Sequence, residues 1–345
     1  MTAVLSVLVQ TPAHSGVAGA LHYEHGHALP VGTLVRVPLG QRETLGVVVP
    51  GDATSPLPAG TPLRSVTTVL DGLAPLDARW LELIEFTARY YQRSPGEVAL
   101  SALPPSLRDL DTTQLARRLK RQAQHAIPPT PEQPTPTPAN RPVLSAEQQQ
   151  ALDQILSASG PFLLYGNTGS GKTEVYLRCV ETLLEQDPQA QALLMVPEIN
   201  LTPQLEARVH ERLAPRWGAQ AIVSLHSGLT PAQRLRSWLS AHSGQARIIL
   251  GTRMAILASM PHLKLIVVDE EHDPSYKQQE GARYSARDLA VMRGRLDQAR
   301  VILGSATPSL ESWQHSEPTA PGERPSRYRR IEMPSRIGQG TLPQV

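Results

Sequence analysis

The chain has 345 residues, enough for two domains and a sizeable core, and at 40% hydrophobic but only 4% aromatic its cores must rest on Leu, Val, Ile and Ala. A formal charge of +2 gives composition no electrostatic argument for nucleic acid, so any basic footprint has to be local. The single cysteine, Cys179, excludes an internal disulfide and a cysteine-built zinc site. Met1–Leu8 has neither a basic leader nor a cleavage site and no apolar run reaches bilayer length, so a soluble cytoplasmic protein with no membrane partner is expected.

Residues 1–105 read as a small, mainly-β domain. Val4–Val9, Leu34–Val37 and Thr44–Val49 have strand character, separated by turn material such as Pro30–Gly32 and Gly40–Glu43. Asp77–Gln92 reads as a helix with Trp80, Leu83, Ile84, Thr87, Ala88 and Tyr91 along one side. Arg36, Arg42 and Arg93 are available to phosphates, although scattered arginines are by default solvated.

Residues 106–142 form a basic, Pro-rich linker. Arg108, Arg117, Arg118, Lys120 and Arg121 lie in a short helix-like segment that either faces DNA or is a solvated face. Pro128–Pro138 follows as an extended, semi-rigid spacer.

From Leu144 strands alternate with amphipathic segments. Strands are expected at Phe162–Tyr165, Ala192–Val196, Ile222–Leu225, Arg247–Leu250, Leu265–Val268 and Val301–Leu303. Near-continuous apolar strands of this kind call for an α/β fold, a parallel sheet covered on both faces, with the site at the carboxyl ends of the strands.

The first of these strands runs into Gly166-Asn167-Thr168-Gly169-Ser170-Gly171-Lys172-Thr173, which fits the phosphate loop in full, and Val175–Leu184 continues as a helix. Glycines let backbone N–H groups cradle phosphate oxygens, Lys172 reaches the β- and γ-phosphates of ATP, and Thr173 ligates Mg²⁺. Strand Leu265–Val268 ends in Asp269-Glu270-Glu271-His272. Asp269 is expected to hold the Mg²⁺, Glu270 to activate the attacking water, and His272 to link the nucleotide site to whatever binds above it. Ser305 and Thr307 end the next strand facing those acids, and read as a nucleotide sensor. Gln148, ahead of the phosphate-loop strand, is either an adenine contact or an exposed cap residue.

The ordered set Gly166–Thr173, Val196–Gln204, Leu225–Gly228, Gly251–Arg253, Asp269–His272 and Gly304–Thr307 resembles the first motor lobe of superfamily 2 helicases. Asp269–Asp288, Val196–Gln204 and Leu303–Glu311 look like the primosomal replication protein N′ (PriA) family of replication-restart helicases. Val35–Gly40, Tyr90-Tyr91 and Gly96-Glu97 also resemble that family's amino-terminal domain. The resemblance implies an ATP-driven 3′→5′ DNA helicase that recognises stalled forks and promotes primosome assembly, working with primosome proteins and single-strand-binding protein near the nucleoid. Residues 1–105 would capture a 3′ DNA end, and 143–315 would be the RecA-like ATP-binding lobe. Tyr276–Arg287 matches the family's aromatic-rich loop, implying that Tyr276 and Tyr284 stack on bases while Lys277, Arg283 and Arg287 meet phosphates. Pro197, Gln204, His226 and Arg253 are candidate strand contacts, with Arg36 as one from the amino-terminal domain.

Three departures accompany the resemblance. Leu21-His22-Tyr23 stands where the family usually has an acid before the tyrosine, which leaves the reading of the 3′ end open. Residues 106–142 are too short and proline-rich for the family's winged helix. The zinc-binding cysteines and second motor lobe are expected beyond a loose tail at 316–345, so this chain by itself is expected to be weak or inactive. Another superfamily 2 translocase, or a non-catalytic fork-binding fragment, are the alternatives.

Overall fold

The computed structural model describes residues 2–11, 19–51, 62–108, 110, 112–125, 141–198, 203–318 and 325–337. Two sheets organise them. The first is built from β1 (Ala3–Val9), β2 (Leu21–His25), β3 (Leu34–Leu39), β4 (Arg42–Val49) and the two-residue strands β5 (Arg64–Ser65) and β6 (Thr68–Val69). Its order is β5-β2-β1-β4-β3-β6, antiparallel except where β5 runs parallel to β2. Strand β2 escapes the sequence reading because Leu-His-Tyr-Glu-His has little apolar alternation; only Tyr23 is buried, with its hydroxyl donating to Pro38 O at 3.1 Å.

Helix α1 (Ala78–Tyr90) is capped by Asp77, whose Oδ1 accepts from Arg79 N at 2.8 Å. Helix α2 (Pro95–Ala102) starts at Ser94 and packs so close to β1 that a Cβ on Gly96 would lie 1.9 Å from Val9 O. Helix α3 (Thr112–His125) follows a 3₁₀ turn at Pro105–Arg108. The proline run Pro128–Pro138 lies outside the described residues.

The second sheet begins after α4 (Ala146–Ser157), where Ser145 and Gln148 form a reciprocal capping box. The chain then runs β7 (Phe162–Gly166), α5 (Lys172–Gln186), β8 (Gln191–Met195), α6 (Pro203–Trp217), β9 (Ile222–Leu225), α7 (Pro231–His242), β10 (Ile248–Gly251), β11 (Leu263–Asp269), α8 (Ala286–Asp297), β12 (Arg300–Ser305), α9 (Leu310–His315) and β13 (Arg329–Met333). The order β13-β7-β12-β11-β8-β10-β9 is parallel throughout. The apolar runs become its buried central strands, as a sheet covered on both faces requires.

One expectation is overturned here. The segment after His315 does not hang loose throughout, because within it β13 pairs with β7 from Arg329–Phe162 to Met333–Gly166. Its polar-apolar alternation buries Ile331 and Met333 on one face of an edge strand, a pattern too short to stand out in sequence.

The halves share one apolar cluster that includes Trp80, Leu83 and Ile84 of α1 with Ile256, Leu257 and Leu289 beyond it. Trp80 Nε1 donates to Leu257 O at 2.7 Å. His242, stacked on Trp238, bridges Ser259 Oγ and Ala74 O, each at 2.9 Å.

Candidate nucleotide site and its neighbouring loops

The loop between β7 and α5 turns on Gly169 (φ +85°) and Gly171 (φ +81°), the latter serving as the helix N-cap. A Cβ on Gly171 would come within 2.4 Å of Gln148 Nε2, so the glycine is also needed for space. Lys172 is buried and donates from Nζ to Gly166 O at 2.8 Å. The Thr173 hydroxyl has no hydrogen-bond partner among the described residues, and the buried Ser170 Oγ is likewise without one. A cradle at a helix N-terminus, a buried ammonium and unpartnered hydroxyls fit the phosphates of a nucleotide.

Gln148 is not placed as an adenine contact. It is 1% exposed, its Oε1 accepts from Ser145 N at 2.9 Å, and its Nε2 donates to Gly171 O at 3.2 Å. The amide braces the phosphate loop from below, leaving no free edge for a base. A second brace comes from the chain after β13, which sequence reading missed. Asn167 Nδ2 donates to Pro334 O at 2.6 Å, Ile337 N to Gly169 O at 2.9 Å, and Ser335 N to Glu147 Oε2 at 3.0 Å.

Across from the loop, β11 delivers Asp269 in register with Gly304 of β12. Two buried tyrosines hold it. Tyr176, from α5, donates to Asp269 Oδ1 at 3.0 Å, and Tyr276 donates to the Asp269 carbonyl at 2.7 Å. Burial first and the neighbouring Glu270 second push the Asp269 carboxyl above the usual carboxylate range, against the Tyr176 hydrogen bond and the Lys172 charge. Burial likewise drives the Tyr176 hydroxyl well above its ordinary value, keeping it a proton donor. Neither tyrosine's bond to Asp269 was foreseen; the spacing of Tyr176 four residues after Lys172, on one helix face, was the available signal.

Glu270 sits at φ +47°, in the left-handed region that a residue with a Cβ adopts only when its surroundings impose it. Its carboxylate lies 3.7 Å from His272 Nδ1. The same nitrogen is 2.7 Å from Ser305 Oγ, while Nε2 is 3.3 Å from Thr307 Oγ1 and Thr307 N donates to Ser305 Oγ at 3.0 Å. The fold thus brings His272, Ser305 and Thr307 into one network beside the acids. Glu271, given no role by the sequence, points the other way. It is fully buried and accepts from Ser309 N (2.7 Å), Ser312 Oγ (2.8 Å), Ser309 Oγ (3.1 Å) and Arg287 Nη1 (3.4 Å), which ties α9 to the end of β11.

The loop after the acids departs from expectation. Tyr276 and Tyr284 are 2% and 8% exposed, so neither presents a ring face on which a base can stack. Arg287 is turned inward to Glu271 and Ser309, Arg36 to Leu110 O and Glu43, and Pro197 is buried, so none is free to meet a DNA strand. Arg253 donates to Ser275 O at 2.8 Å and Lys277 O at 3.4 Å, bracing the loop rather than reaching out. Lys277, Arg283 and Gln204 remain exposed, and His226 is half-buried 3.7 Å from Glu206. Among the described residues no cluster of His, Cys, Asp and Glu could hold a metal ion unaided, and no helix is long and apolar enough to cross a membrane.

Residues 145–315 match the DEAD/DEAH box helicase family and residues 6–104 match the 3′DNA-binding domain (3′BD) of PriA. The replication restart protein PriA of Haemophilus influenzae is 33% identical over 91% of this chain and 50% of its own length. That of Treponema pallidum is 34% identical over 93% and 45%, and that of Chlamydia pneumoniae 46% identical over 50% and 23%. The chain therefore spans about half the length of the curated relatives it matches. A crystal structure of the DUF1998 helicase MrfA bound to DNA is a distant likeness, at 19% identity and TM-score 0.43 over 60% of this chain and 30% of that one. The DEAD/DEAH box match carries nucleotide use with it. With both of its modules matched and relatives at this identity along nearly all its length, the chain belongs to the PriA family of replication restart proteins.

Proposed function

We propose that the chain is the end-binding and ATP-binding portion of a 3′→5′ DNA helicase that recognises stalled forks in replication restart. The observation that carries this reading is the convergence of the phosphate loop and the strand-end acids, joined by the hydrogen bond from Tyr176 to Asp269. Bound Mg²⁺–ATP supplies a γ-phosphoryl group for transfer to water. Lys172 would exchange the Gly166 carbonyl for phosphate oxygens, and the Thr173 hydroxyl and Asp269 carboxylate would hold the metal. Glu270 would orient the water. His272, Ser305 and Thr307 would carry the state of that site along the end of β12.

On the DNA side, exposed Lys277 and Arg283 are the phosphate contacts we favour, with Gln204 and His226 at the neighbouring strand ends. The match to a 3′DNA-binding domain supports capture of a 3′ end at the fork, and the relatives' name supports a role in replication restart. Primosome proteins and single-strand-binding protein are the partners this role implies.

ATP hydrolysis by the chain, with and without forked DNA bearing a 3′ end at the junction, tests the reading, with Lys172→Ala as the blank. Slow hydrolysis that the fork stimulates and the variant loses is expected. Hydrolysis that survives Lys172→Ala, or a response indifferent to the 3′ end, would overturn it.

A further inference from the structure

Helix α3 carries Arg117, Arg118, Lys120 and Arg121 and no acidic residue anywhere in Thr112–His125. The whole chain has 33 basic and 31 acidic residues; without these four the count is 29 against 31, so the sign of the net charge comes from this helix. The placement of the charges is not haphazard. Leu115 and Leu119, at i and i+4, face the protein: Leu115 is 1% exposed, and Leu119 Cδ1 lies 3.1 Å from where a Cβ on Gly72 would stand. The four cations lie off that stripe, from its flank round to the far side, and are all exposed. Arg117, Arg118 and Lys120 make no ion pair among the described residues.

The helix is also held in place. Ser106 Oγ, just before it, donates to Pro231 O at the start of α7, and Gln122 Nε2 donates to Ser243 Oγ just past the end of α7, at 3.1 Å. The basic face is therefore anchored through Leu115 and Leu119 and tethered to α7 by Gln122, on the side of the motor sheet that ends in β9 and away from the phosphate loop. A solvated helix of 14 residues gains nothing from concentrating one sign of charge, since like charges three and four residues apart repel.

Which polyanion fits can be decided from the same face. A membrane surface needs a free apolar side on the helix, and that side is already buried. Single-stranded nucleic acid is held by aromatic rings between the cations, and α3 has none. What is left is a stiff row of phosphates read by charge alone. We infer that the outward face of α3 is a landing surface for the phosphate backbone of duplex DNA. This rests on the reading that the protein works on DNA, and adds a second contact area separate from the strand ends.

The test is the salt dependence of binding to a blunt DNA duplex by the whole chain and by the Arg117→Ala/Arg118→Ala/Lys120→Ala variant; alanine keeps the helix propensity. Each lost phosphate contact lowers the slope of log K against log salt by about 0.9, so a fall of about 2–3 is expected, with duplex affinity at low salt down roughly tenfold or more. The thermal midpoint and nucleotide binding should be unchanged, and the triple Gln variant should behave alike even if the Ala variant folds poorly. An unchanged slope, no duplex binding by the parent, or a loss confined to single strands or to anionic vesicles would overturn the inference. Nucleotide binding and its loss in Lys172→Ala are measured apart from the duplex slope, so failure of the motor reading and failure of this one give different results.

Discussion

Tyr176 places its hydroxyl 3.0 Å from Oδ1 of Asp269, in a space that exists only because residue 304 is glycine: a Cβ there would lie 1.6 Å from that hydroxyl. The contact fixes the carboxylate that we assign to the metal from the helix to which we assign the phosphates. Tyr176→Phe keeps the ring and removes the hydrogen bond, at a cost of about 1–2 kcal/mol, or roughly tenfold. We expect that loss in nucleotide affinity measured with Mg²⁺ and little change without it. Gly304→Ala should do more damage, since it displaces the ring. Equal Mg²⁺-dependent affinities for Tyr176→Phe and the parent would remove Tyr176 from the site.

Adjacent glutamates should behave as opposites. Glu270→Gln retains shape on a half-exposed residue, so hydrolysis should fall by about 10²-fold or more while the thermal midpoint stays. Glu271→Ala leaves the donors at Ser309 and Ser312 without their buried acceptor and takes one of several partners from Arg287, a loss of about 1–3 kcal/mol read as a lower midpoint. Equal stability losses in the two variants would contradict the arrangement.

The loop at 276–287 should divide along burial. Tyr276→Ala empties a core position and should destabilise by about 3–5 kcal/mol. Lys277→Ala/Arg283→Ala should leave stability alone and weaken binding to single-stranded DNA by several-fold at low salt, with a shallower salt slope. Unfolding curves and fluorescence anisotropy on the same samples distinguish the two effects.

His242 makes the contact between the halves sensitive to acid. The Ala74 carbonyl only accepts, so the imidazole is protonated at Nε2 and its Nδ1 accepts from the Ser259 hydroxyl. Burial lowers its pKa below the ordinary 6.5, with the Ala74 hydrogen bond opposing. The unfolded chain then takes up the proton first, so the stabilisation is present above 6.5 and is lost as pH falls below it. The drop in thermal midpoint on acidification to about pH 5 should be smaller in His242→Asn than in the parent. Parallel pH curves for the two proteins would refute this.

Ending the chain at Glu317 should cost more than an edge strand usually does. It removes β13 from β7 and also the Pro334 and Ile337 contacts to the phosphate loop. A lower midpoint and a weaker nucleotide affinity are expected together. Loss of stability with unchanged affinity would mean that the tail supports only the sheet.

Much of this protein is written locally. The phosphate loop needs glycines at fixed offsets between a strand and a helix, and central strands need unbroken apolar runs, so Gly166–Thr173, Asp269 and most of the second sheet were legible from residue order. The Ser145–Gln148 cap and the Asp77 cap are equally local. What depended on distant parts of the chain was not legible. Tyr276 and Tyr284 read as stacking rings through the family resemblance of their loop, yet both rings are buried, Tyr276 with its hydroxyl on the Asp269 carbonyl. Gln148, Arg36, Arg253 and Arg287 read as free polar groups, yet each is drawn to a carbonyl or carboxylate that the fold places beside it. The sequence alone thus determined which chemistry the chain carries, because that chemistry needs particular residue types at short spacing. Tertiary structure decided which of those side chains remain available to a ligand, because a buried polar group must find its partner wherever the fold provides one.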